Sequence, residues 1–198
     1  MSCSDHDPLL YWRVRRWSGV LVVKHLLSAA VVAGLVAAPL PATAEASLAA
    51  YDAVREGLVA VWDELPLSVR NVELVDGTPR GLGQYERRTS RTYKPDEPVI
   101  VYAELYGYGV TLPANGGYIR ELTADLALVD ASGAVRANQV AFWTSSETFE
   151  VRPLEMHLSF SAGLSAFPPG DYTLRFTVHD AAGGKQASFD VPVTLEAE

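Results

Sequence analysis

Cysteine is almost missing from this chain: Cys3 is the one thiol in 198 residues. It lies in a segment expected to be removed. The rest of the chain then has no means of forming a disulfide, a thiolate metal site or a cysteine nucleophile. Such a chain tolerates an oxidising compartment without mispairing. Positive charge is also scarce. The formal net charge is −8, and loss of residues 1–44 takes away four basic and two acidic side chains, which moves it to −10. A surface of that sign repels phosphate backbones and anionic lipid heads, so neither nucleic acid nor direct membrane binding is expected. Catalytic motifs are missing too. HExxH and G-x-S-x-G do not occur, and Gly81-Leu-Gly83 is too short for a phosphate loop and has no lysine after it. His157 and His179 are the histidines beyond the leader. They stand neither two nor four residues apart, and Met156-His157 alone is a poor copper pair, so no metal and no cofactor is expected. Carboxylates are plentiful, but nothing marks a glycosidase-like pair.

A membrane-length apolar run is likewise absent. Residues 26–38 are apolar without a break, but 13 residues fall short of the roughly 20 that a spanning helix needs. Lys24 and His25 precede this run, Pro39 and Pro41 follow it, and Ala42-Thr-Ala44 offers small residues where a signal peptidase reads. The expectation is a secretory signal peptide over residues 1–44, cleaved after Ala44. Asp5 and Asp7 do not suit a basic leader, whereas a start at Val22 would give a compact one. No cysteine stands at the cleavage site for lipoprotein processing. The product is expected in the periplasm or outside the cell.

What remains begins with helical spacing. Leu48, Tyr51, Val54, Leu58, Trp62 and Leu65 recur at three and four residues and fall on one stripe, with Asp52, Arg55, Glu56, Asp63 and Glu64 off it. Pro66 ends the segment. Residues 45–66 are therefore expected to form an amphipathic helix packed by its stripe on the domain. A partner-binding or dimerising helix is the alternative.

From Leu67 onward the period becomes two. Strands are expected over residues 69–75, 84–93, 99–108, 118–129, 135–143 and 154–162, with a polar loop at residues 145–148. A closing hairpin follows. In it Tyr172, Leu174, Phe176 and Val178 alternate with polar residues, residues 180–185 turn, and Ala187, Phe189, Val191, Val193 and Leu195 alternate again. Seven to eight short strands without an intervening helix point to a mainly β, antiparallel sandwich over residues 67–198.

Two stretches carry a resemblance. Pro169-Gly-Asp-Tyr-Thr-Leu-Arg-Phe-Thr-Val-His-Asp180 resembles the penultimate strand of immunoglobulin-like sandwiches in exported bacterial proteins. The resemblance implies a tyrosine corner at Tyr172, hydrogen-bonded back to the preceding loop. Leu174 stands where antibody domains have cysteine, so the antibody subtype does not apply. Gly83-Gln-Tyr-Glu-Arg-Arg88 and Tyr93-Lys-Pro-Asp-Glu-Pro-Val-Ile-Val-Tyr-Ala-Glu104 are similar to a pattern in uncharacterised exported bacterial proteins. No known activity comes with that family.

The candidate site is aromatic. On residues 99–108, period two puts Ile100, Tyr102, Glu104, Tyr106 and Tyr108 on one face, and Val99, Val101, Ala103 and Leu105 on the core face. Tyr102, Glu104, Tyr106 and Tyr108 could stack a sugar ring or a peptide side chain. Arg87, Arg88 and Arg91 form a small basic cluster expected to pair with neighbouring acids. The expected function is a non-catalytic binding or interaction module of the cell envelope, its partner an envelope protein or glycan. A hydrolase or accessory subunit acting on envelope polymers, and a structural subunit pairing through a sheet edge, are the alternatives.

Overall fold

The computed structural model describes residues 46–197, so the expected leader lies outside the described residues. Helix α1 (Leu48–Glu64) comes first, followed by β1 (Ser68–Leu74), β2 (Thr92–Tyr93), β3 (Val99–Tyr106), β4 (Tyr118–Asp130), β5 (Val135–Phe149), β6 (His157–Ala162), β7 (Gly170–Asp180) and β8 (Lys185–Leu195). The strands make a three-stranded sheet, β1-β3-β6, and a five-stranded sheet, β2-β8-β7-β4-β5. All neighbours are antiparallel except β2, which runs parallel to β8 and corrects the expected uniform pairing.

The period-two pattern is realised in the closing hairpin. Tyr172 lies opposite Val193, Leu174 opposite Val191 and Phe176 opposite Phe189. Leu174, Phe176 and Val178 are fully buried. The two sheets meet through the interior, where the ring of Phe160 on β6 stacks on that of Phe176 on β7 at 4.7 Å and 10°. Val99, Val101, Ala103 and Leu105 of β3 belong to the same core. Among the described residues no helix is long and apolar enough to cross a membrane.

Three further expectations need correction. The strand over residues 84–93 is reduced to Thr92–Tyr93. Gly83 takes a φ of +66°, and the segment folds on itself instead, with Gln84 N donating to Gly81 O and Asp76 N donating to Glu86 O. Arg87 pairs with Glu73 at 2.7 Å, and Arg88 with Asp76 and Glu97 at 3.0 and 2.7 Å. Residues 145–148 do not loop out. They continue β5, with Leu122 opposite Ser145 and Arg120 opposite Glu147. An exposed edge strand is polar for the same solvation reason as a loop, so its composition imitates one.

The third correction concerns α1. Ser47 caps its start, its hydroxyl accepting from Ala50 N at 3.1 Å. Of its residues only Trp62 is buried, while Leu48, Tyr51, Val54 and Leu58 remain exposed. The helix is held mainly near its C-terminal end. Trp62 Nε1 donates to Tyr108 O at 2.9 Å, and Lys185 Nζ donates to the carbonyls of Asp63, Leu65 and Gly107 at 3.0, 2.8 and 2.9 Å. A cation there satisfies orphan carbonyls and opposes the helix dipole. Further up, Arg55 reaches the carbonyl of Arg152 at 2.9 Å, and Arg152 pairs with Asp63. The apolar stripe is therefore covered by the body at Trp62 and left open from Leu48 to Leu58.

Gly107 sits at this junction with φ +76°, and a Cβ there would lie 2.6 Å from Pro66 O. Gly107→Ala combines left-handed strain with that clash. It should lower the unfolding free energy in denaturant by about 2–3 kcal/mol. A loss under about 0.5 kcal/mol would mean that the junction does not constrain the backbone.

Candidate functional site

The outer face of β3 carries the candidate residues, and burial treats them unequally. Tyr102 is fully buried, Glu104 is 7% exposed, and Tyr106 is half-buried. Tyr108 lies beyond the strand. The chain leaves β3 after Tyr106, and Gly107 adopts positive φ, so the alternation that grouped Tyr108 with the others stops there. Its ring enters the core, edge-on to Trp62 at 5.2 Å and under the guanidinium of Arg120 at 5.3 Å. Its hydroxyl donates to Glu155 O at 3.5 Å, not to Glu104.

The remaining three make one hydrogen-bonded unit. The Tyr102 hydroxyl donates to Glu104 Oε1 at 2.8 Å, and the Tyr106 hydroxyl donates to Oε2 at 2.9 Å. Asn71 Nδ2 also donates to Oε2, at 2.8 Å. Asn71 has φ +48° where β1 shifts register between Arg70 and Glu73, a conformation asparagine tolerates better than most residues. From above, Gly83 N donates to the Tyr102 hydroxyl at 2.8 Å, and the rings of Tyr85 and His157 lie 4.2 and 5.7 Å from that of Tyr102. Tyr102 is therefore covered by the segment after β1, and no ring face of it is left open for a sugar.

Burial pushes the Glu104 carboxyl up. The donors Tyr102, Tyr106 and Asn71, helped by the field of His157, outweigh this and hold it below the ordinary glutamate value of 4.5. Burial and the neighbouring carboxylate push Tyr102 up to about 12, against the donation from Gly83. The carboxylate stays ionised with its oxygens occupied by donors. That arrangement suits cross-linking of β1, β3 and the covering segment better than proton transfer to a ligand. Met156 packs in the core beside His157 rather than facing out with it as a ligand pair.

The open part of this face lies at its other end. A groove of about 670 Å³ runs between α1 and the body, lined by Tyr51, Val54 and Leu58 from α1, Tyr106 from β3, and Pro153 and Leu154 after β5. Arg55, Arg70 and Arg152 also border it. The Arg70 guanidinium lies over the Tyr106 ring at 5.3 Å, so Tyr106 joins the carboxylate cluster to the groove. Sequence reasoning placed Tyr106 correctly on this face but missed Asn71, Gly83 and Tyr85 as its cover. It missed the groove because it assigned the helix stripe to the core. The adjacent polar pair Arg70-Asn71, inside an otherwise alternating strand, was the available signal for the bulge. No family model matches the chain, and no curated protein is significantly similar to it.

Glu104 stabilises the fold fully above the ordinary carboxylate pKa and loses that contribution as the pH falls through its depressed folded value. The thermal stability of the wild type should fall below about pH 4.5. Glu104→Gln should melt lower at neutral pH but show a shallower acid limb. An unchanged acid limb would place the acid sensitivity elsewhere.

Proposed function

We propose that the chain is an exported, non-catalytic interaction module of the cell envelope, built on an immunoglobulin-like sandwich. The exposed apolar stripe of α1 beside its groove carries this reading. Exposed apolar side chains contiguous with a groove mark association sites in soluble proteins. Here they include Val54 at 72% exposure and Tyr51 at 62%.

The strand order supports the immunoglobulin-like assignment. β1-β3-β6 against β8-β7-β4-β5 follows the layout in which the first, second and fifth strands oppose the last two and the third. β2 adds a parallel edge beside β8. Tyr172, near the start of β7, donates its hydroxyl to Pro168 O at 2.8 Å, which is the geometry of a tyrosine corner. Among the described residues there is no counterpart to the fourth strand of the constant-type arrangement.

Pairing through a sheet edge is the less favoured alternative. β5 is a long edge strand of 15 residues. It is interrupted by Ala141 at φ +50°, whose N–H donates to Asp125 at 2.8 Å, and it carries Arg136 and Glu147. Bulges and charges are the usual devices that blunt an edge. A hydrolase would draw on the cavity of about 390 Å³ near His179, but there the ring nitrogen Nε2 is 2.9 Å from Asp125 on an open polar face.

Export and binding are tested together in cells carrying the whole coding sequence. The envelope fraction should hold a product that begins at Glu45. A photo-crosslinking side chain at Leu58 should give adducts that the same probe at Ala53, exposed on the far side of α1, does not. A cytoplasmic product would overturn export, and absence of adducts at Leu58 would overturn binding through the groove.

A further inference from the structure

Among the described residues the two sheets end in four edge strands, β1 and β6 in one and β2 and β5 in the other. Three of these edges are guarded. β1 shifts register at Asn71 and carries Arg70 and Glu73. β2 is two residues long. β5 is broken by Ala141 at φ +50° and carries Arg136 and Glu147. β6 has none of these devices. It reads His157-Leu-Ser-Phe-Ser-Ala162, without lysine, arginine, acid or proline. It pairs with β3 in unbroken register, from Glu104 opposite His157 to Val99 opposite Ala162. A regular, uncharged edge invites a further strand, and proteins that make no use of such an edge blunt it.

The ladder fixes which backbone groups β6 offers. Leu105 N donates to Met156 O at 3.2 Å, so the bonded pairs alternate from there: Ala103 with Leu158, Val101 with Phe160 and Val99 with Ala162. The N–H and C=O groups of His157, Ser159 and Ser161 therefore point away from β3, where among the described residues no strand receives them. An apolar cavity of about 300 Å³ opens between the end of β6 and the inner face of β4 and β5. Leu126, Leu128, Phe142, Ala162, Leu164 and Phe167 line it, and no residue of β3 does. Leu126, Phe142 and Phe167 pack against the core yet stay only half-buried. In the proposed sandwich layout this is the place of the fourth strand. The connection that would supply it, residues 150–156, runs to α1 instead, where Arg152 pairs with Asp63 and its carbonyl accepts from Arg55.

We infer that β6 takes up an extended segment of another protein as an added strand, whose alternate apolar side chains enter this cavity. Main-chain donors and acceptors at strand spacing are matched along their length by an extended backbone, and the pocket beside them selects its side chains. A second copy of this chain does not meet both demands. If two β6 strands paired with each other, Leu158, Phe160 and Ala162 of each would stay in their own core, and both cavities would remain unfilled. The donor is therefore a segment with apolar residues at every second position and no core of its own to hold them. This surface is separate from the groove beside α1, and its use does not depend on that groove.

The probe is a fluorescein-labelled octapeptide that alternates valine and threonine. It is titrated with the product of the whole coding sequence, in whatever processed form accumulates, and read by fluorescence anisotropy. Binding should saturate below about 1 mM. The same peptide N-methylated at every residue keeps its side chains but cannot pair. An all-threonine peptide pairs but has nothing apolar to place in the cavity. Each should bind at least about tenfold more weakly. Ser161→Pro removes an N–H that faces away from β3, so the β3–β6 ladder keeps its bonds. It should weaken the probe about threefold to tenfold with wild-type circular dichroism. Failure to saturate, or equal binding of the N-methylated peptide, overturns the inference whether or not Ser161→Pro folds. A product of two copies that ignores the probe and is separated by Ser161→Pro would put a second copy on β6 and overturn it as well. Adducts at Leu58 without peptide binding would leave the groove reading standing and end this one.

Discussion

The stacked rings of Phe160 and Phe176, 4.7 Å apart, are where the two sheets are joined. Phe189 extends the stack, 5.2 Å from Phe176. Aromatic side chains remove large apolar areas from water and dominate the energetics of a core. Their position decides which face of every strand is internal. On β6 that face includes Leu158 and Phe160. On β3, paired with β6 so that Val101 faces Phe160 and Ala103 faces Leu158, it includes Val101 and Ala103. Because the side-chain period is two, Tyr102, Glu104 and Tyr106 are then obliged to point away from the core.

An outward face would ordinarily meet water, yet Tyr102 is fully buried. The cause is the long connection between β1 and β2. It folds over β3 instead of adding a full strand, and it brings Gly83 N to the Tyr102 hydroxyl. Once water is excluded, an ionised Glu104 is tolerable only if its oxygens are satisfied. Tyr102, Tyr106 and Asn71 do that. A cluster that resembles a ligand site from its residue types is thus a consequence of covering a sheet face. The cover ends near Tyr106, and beyond it α1 leaves a groove.

The closing hairpin was legible because a buried face and a wet face alternate on β7 without interruption, and one turn separates it from β8. β3 was half legible. Val99 to Tyr106 obeyed the alternation, but Gly107 ended it, and nothing in a period-two pattern shows where a strand stops short of its next tyrosine. β5 was misjudged at Ser145 and Ser146 because edge residues and loop residues answer to the same solvent. The polar segment before Thr92 has the period-two spacing of a strand but does not form one. Its glycines and the pairing of Arg88 with Asp76 and Glu97 pull it into a compact turn. The site suffered most, since covering this face depends on contacts between residues far apart in the chain, such as Gly83 with Tyr102 and Asn71 with Glu104.

The helix stripe shows why periodicity identifies an apolar face but not what the face touches. A 3.6-residue stripe satisfies packing on a domain and packing on a partner equally well. The difference lies in the anchors. Lys185, Trp62 and the Arg152–Asp63 pair hold α1 at its last turns, and Arg55 holds it to the backbone of Arg152. Each of these contacts is polar or at one end, and none draws Tyr51, Val54 or Leu58 onto the sheet. A helix whose stability depended on its stripe would be anchored through it. This one is anchored through its stripe at Trp62 alone and otherwise by polar contacts beside it, which fix its direction and leave Tyr51, Val54, Leu58 and Val61 exposed.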